Sequence, residues 1–65
     1  MTTSDVEEAI RKFRIANNHG PTFEELLVAV ASLTNCLADE ADLQDELNKL
    51  QAVGQVRQVK GRFMV

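Results

Sequence analysis

The side chains of this 65-residue sequence that could do chemistry fall into four groups. Arg57, Lys60 and Arg62 stand together with no acidic residue from Gly54 to Val65, a local charge of +3 suited to phosphate oxygens. Three such contacts give weak, salt-dependent binding unless a dimer doubles them, and the same charges would equally guard an edge hairpin against unwanted pairing. Asp39, Glu40, Asp42 and Asp45 form an opposite, acidic pole. Arg11, Lys12 and Arg14 make a second basic group, but Glu7 and Glu8 precede Arg11 and Lys12 by four residues, so pairing along a helix makes this a solvated face. The fourth group is His19 and Cys36, each the only residue of its kind.

That last group is too small for most site chemistry. One thiol forms no internal disulfide, and one Cys with one His falls short of a zinc site. No basic residue flanks Cys36 to stabilise a thiolate, so a buried or half-buried filler is expected there. His19 sits in a turn beside Gly20, where an exposed or capping role is expected in preference to that of a general base. There is no Ser–His–acid arrangement, glycine-rich phosphate loop, dinucleotide fingerprint or paired metalloprotease histidines. The expectation is a chain that is not an enzyme, with no metal, no cofactor and no small-molecule substrate.

The elements that must position the charged groups follow from periodicity and caps. Ser4 with Glu7 fits a capping box, and Val6, Ala9, Ile10, Phe13 and Ala16 recur at helical spacing, predicting a helix over about 5–17 with Ile15 on its exposed side. Gly20 suits its C-terminal cap, and Pro21 follows where no helix continues. Thr22 with Glu25 repeats the box and opens a helix over about 23–33 that is apolar nearly all round. Residues Thr34 to Ala38 read as a turn, and Asp39 caps a helix over about 39–53. Leu43, Leu47 and Leu50 of that helix face inward, while Asp42, Asp45, Asn48 and Lys49 face outward. After Gly54 the period changes to two, predicting strands over about 55–59 and 62–65 joined by a Lys60–Gly61 turn. Val56, Gln58, Phe63 and Val65 share one face, with Val56 opposite Val65 and Gln58 opposite Phe63; on the other face both arginines stay wet.

Residues 1–65 therefore read as one domain, mainly α with a small β-hairpin. A hydrophobic share of 45% with 26% charged residues is a globular balance, not that of a disordered segment. At this size only roughly 60% of the unfolded chain's surface is buried, so a partner or a second copy is a live expectation. The longest apolar run, Leu26 to Ala31, is too short for a bilayer, and the polar opening Met1–Asp5 lacks the features of a leader, so a cytoplasmic chain without a membrane partner is expected.

Two stretches, Thr22-Phe23-Glu24-Glu25-Leu26 and the run from Leu43 through Gly54 and Val56 to Arg62-Phe63-Met64-Val65, resemble the winged helix-turn-helix superfamily. The resemblance covers most of the chain and implies three helices closed by a C-terminal two-stranded wing. In DNA-binding members the third helix enters the major groove and the wing touches the backbone or minor groove. Carried over by position, the groove-facing residues here would be Asp39, Asp42, Asp45, Asn48 and Lys49, of which only the last two offer donors. A net charge of -3 also repels a polyanion at long range. The expected function is accordingly a protein-binding or self-associating regulatory module. Its candidate face comprises Leu27 and Val30 of the second helix with Asp42, Asp45, Asn48 and Lys49 of the third. The alternative is a DNA-binding regulator that contacts the duplex as a dimer through Arg57, Lys60 and Arg62.

Overall fold

The first helix, α1, spans Thr3–Asn17 and begins earlier than expected in the computed structural model, which describes residues 1–65. Its cap is not Ser4 with Glu7. Thr2, in an extended conformation, accepts from the Asp5 backbone at 3.2 Å, and Asp5 answers by accepting from the Thr2 backbone at 3.1 Å. The two boxes have the same spacing, and the earlier one prevails because Ser4 already lies inside the helix. At the other end Asn18, with φ 61°, takes the left-handed capping position that had been expected of Gly20.

The second helix, α2, covers Phe23–Thr34 and carries the expected box: Thr22 N–H donates to Glu25 Oε1 at 2.9 Å, and Glu25 N–H donates to Thr22 Oγ1 at 3.3 Å. Asn35 (φ 58°) closes it, and the Cys36 N–H bonds back to the Ala31 carbonyl at 3.2 Å. That reversal turns Cys36 outward, so it is exposed and not the buried filler expected. The third helix, α3, runs Glu40–Ala52, with Asp39 Oδ1 accepting from the Ala41 N–H at 3.0 Å.

Two short strands, β1 (Arg57–Val59) and β2 (Arg62–Met64), pair antiparallel with Gln58 opposite Phe63, in the expected register but over fewer residues. Lys60 (φ 52°) and Gly61 (φ 77°) make the two-residue turn, the pair of positive φ angles that follows the right-handed twist of a hairpin. One link was not foreseen. The Phe63 N–H donates to the Pro21 carbonyl at 2.8 Å, so the α1–α2 linker lies along the outer edge of β2. Gly20 is what this approach requires, since a Cβ there would overlap the Phe63 carbonyl oxygen.

The core sits where all of these meet. Val6, Ala9 and Ile10 of α1, Leu26 and Val30 of α2, and Leu43, Leu47 and Leu50 of α3 close against Val56 and Phe63 of the hairpin segment. No polar or charged residue is buried with them, and no buried side-chain polar atom lacks a partner. At about 0.05–0.15 kcal/mol per residue the whole fold is worth only several kcal/mol, so truncating one buried leucine, at about 2–5 kcal/mol, removes much of it. No helix is long and apolar enough to cross a membrane.

Candidate interaction surfaces

Outward charges define the surface of α3. Asp42, Asp45, Asn48 and Lys49 are all exposed, as the helical wheel requires. They do not act as independent groups. Lys49 Nζ lies 3.3 Å from Glu46 Oε1 and 3.6 Å from Asp45 Oδ2, and Gln44 Nε2 donates to Asn48 Oδ1 at 3.0 Å. The hydrogen bond that Lys49 donates to Glu46, then the charges of Glu46 and Asp45, hold its ammonium above the ordinary pKa. The one cation of α3 is thereby matched within its own helix, while Asp39, Glu40 and Asp42 face solvent and join no ion pair.

The α2 part of the candidate face is corrected. Val30 is 1% exposed and belongs to the core, because it follows Leu26 by four residues on the stripe that faces α1. Leu27 is half-buried, and the apolar residue that α2 does present to water is Val28, at 69%. Leu27, Val30 and the α3 charges therefore do not form one surface.

A feature absent from the expectations lies on the other flank of α2. Phe13 is only half-buried and Ala16 is exposed, although both continue the helical spacing of the buried Val6, Ala9 and Ile10. With Ala9, Lys12, Ala29, Ser32 and Leu33 they wall an open groove of about 460 Å³ between α1 and α2. The small residues Ala9, Ala16, Ala29 and Ser32 leave the space that larger ones would fill. Recurrence of small residues on two helices was the signal for it in the sequence, though only pairing the right faces gives it meaning.

The three basic residues of the hairpin divide. Arg57 and Lys60 are exposed, and neither lies within 4.0 Å of a carboxylate. Arg62, expected to stay wet beside them, is instead half-buried. Its Nη1 donates to the Gly20 carbonyl at 3.0 Å and to Glu25 Oε1 at 3.3 Å, and lies 2.9 Å from His19 Nδ1, which accepts when the ring proton is on Nε2. The physical reason is the approach of the linker to β2, which places a carbonyl, an imidazole and the capping carboxylate beside that strand. The Thr22 backbone N–H chiefly lowers the Glu25 pKa, partial burial opposes it, and the Thr22 hydroxyl, Arg62 and His19 lower it further. His19 also packs against Phe13, ring centroids 5.6 Å apart.

No three of the His, Cys, Asp and Glu side chains lie together in a way that could hold a metal ion. No protein-family model matches the sequence, and no curated protein or solved structure matches the chain.

Proposed function

We propose that this chain is a non-enzymatic winged-helix module that binds protein through the acidic side of α3, with the exposed side of α2 at Val28 as a separate contact. The winged-helix reading is supported by the order of elements, by the hairpin that directly follows α3, and by the Gly20–Pro21 linker bonded to the outer strand of that hairpin. The observation that carries the protein-binding reading is the outward side of α3. Where a groove-reading helix presents donors to base edges, this one presents Asp39, Asp42 and Asp45, with its only lysine occupied by Asp45 and Glu46. Three carboxylates brought against phosphates repel; set against a basic protein surface they steer association and fix its register.

The test has two arms. Titration with random-sequence duplex at low and moderate salt is expected to give no salt-sensitive binding. Capture of partners from the cell that makes the protein is expected to be lost in Asp42→Lys/Asp45→Lys while helicity is kept. A capture profile indifferent to that charge reversal would end the reading.

The second reading, a regulator that contacts DNA as a dimer through its wing, draws on the unpaired Arg57 and Lys60. Tight duplex binding that vanishes in an Arg57→Ala/Lys60→Ala/Arg62→Ala variant would put it first. Arg62 is the weak member of that trio, because its charge already answers Glu25.

A further inference from the structure

Two apolar features near the C-terminal end of α2 open to solvent. One is Leu37, fully exposed at 101%, on the turn that leads from Asn35 to the α3 cap Asp39. The other is the α1–α2 groove, whose walls include Phe13, Ala29 and Leu33. Leu33 and Leu37 are four residues apart, so the knob and the edge of the groove lie within about 14 Å of each other. The turn at Asn35 and Cys36 leaves Leu37 wholly in water, so it does not fill its own groove.

Charge sorts in the same way. The exposed Asp39 and Glu40 lie two and three positions after Leu37, and the one ionic residue lining the groove is Lys12, whose partner Glu8 is 3.7 Å away at an exposed site where such a pair is worth little. The knob thus carries acids, and the groove carries a base.

We propose that a second copy of this chain occupies the groove: Leu37 of each copy enters the α1–α2 groove of the other, and Glu40 of each meets Lys12 of the other. A knob and a groove that are neighbours on one chain can both be satisfied by a single two-fold axis, which closes the pair and leaves nothing to polymerise. The proposal goes beyond the protein-binding reading and shares with it only a protein partner, because Leu37 and the α1–α2 groove lie apart from the Asp42 and Asp45 side of α3. A contact centred on one leucine is small, so the pair forms weakly and reversibly.

Sedimentation equilibrium of the full chain over a wide concentration range tests this, with variants changed only at exposed positions so that the fold is kept. The wild-type mass is expected to rise from 7.2 kDa toward twice that value. Leu37→Glu and Ser32→Glu should each weaken association by at least about tenfold, with unchanged helicity. Lys12→Glu should weaken it less, and Lys12→Glu/Glu40→Lys should recover it, because the charges are exchanged and not removed. A mass fixed at that of the monomer, variants that pair like the wild type, or growth past the dimer would each overturn the proposal. Failure here leaves the Asp42→Lys/Asp45→Lys capture result standing, whereas duplex binding would remove the protein-binding reading whatever the mass.

Discussion

The two strands of the hairpin pair with each other but stand in different relations to the rest of the molecule. All three residues of β1 are exposed, whereas β2 buries Phe63 and half-buries Arg62 and Met64. The linker bonds to β2, α1 packs against it, and Glu25 of α2 reaches its arginine. The hairpin is hung by one strand. Its free cations, Arg57 and Lys60, lie on the strand and turn that the fold needs least, while the cation on the tied strand serves the fold. Stability and any surface activity of the hairpin are therefore separable by mutation.

The sharpest way to break that division is at Gly20. An added methyl would overlap the Phe63 carbonyl oxygen and sit 3.0 Å from its carbon and 3.1 Å from the Met64 side chain, so the linker and β2 must part. Gly20→Ala is expected to cost about 3 kcal/mol, from overpacking and the loss of the Phe63–Pro21 hydrogen bond, a large share of the total. A urea midpoint within error of wild type would show that β2 is not held by the linker.

Next in size is the contrast between the arginines. Arg62→Ala removes the donor to the Gly20 carbonyl and is expected to lower stability by about 1 kcal/mol, whereas Arg57→Ala should stay within about 0.5 kcal/mol of wild type. Equal losses would erase the distinction between the strands. An acid titration sharpens it further. Since the folded-state pKa of Glu25 is lowered, the unfolded chain takes up this proton first as the pH falls. The stabilisation is present above the ordinary glutamate value of about 4.3 and is lost on descending through the lower folded value. Urea midpoints of wild type and Glu25→Gln should therefore converge on the acid side of that value, and a constant gap down to pH about 3 would exclude the mechanism.

What the sequence disclosed of this follows the range of the interactions. Helices, the Thr22–Glu25 box, the Asp39 cap, the Lys60–Gly61 turn and the strand register depend on residues within a few positions of one another, and all are legible. The core leucines of α3 follow from period alone. The features that were misplaced depend on which elements meet. Arg62 reads as a free cation until a partner 37 positions away is brought beside it. Val30 reads as surface on a helix apolar on all sides, because nothing in such a helix marks the face that α1 covers. Phe13 and Ala16 read as core because their spacing is regular, yet the small Ala29 and Ser32 facing them on α2 leave the space open as a groove. The outward acids of α3 were legible because polar residues opposite a leucine stripe have one place to go.

The smallest expected effect tests the free side of the hairpin directly. Lys60 holds a φ of 52° ahead of Gly61 at 77°, and a side chain branching at Cβ or longer gains nothing from that left-handed conformation, while asparagine adopts it readily. Lys60→Asn is therefore expected to raise stability by less than about 1 kcal/mol, without touching any ion pair or the core. The same change removes one of the hairpin's two unpaired cations. A variant with a slightly higher urea midpoint and unaltered partner capture would place the hairpin tip outside the protein-binding surface. If capture fell while stability rose, the tip would belong to that surface, and binding would then draw on β1 and the turn as well as on α2 and α3.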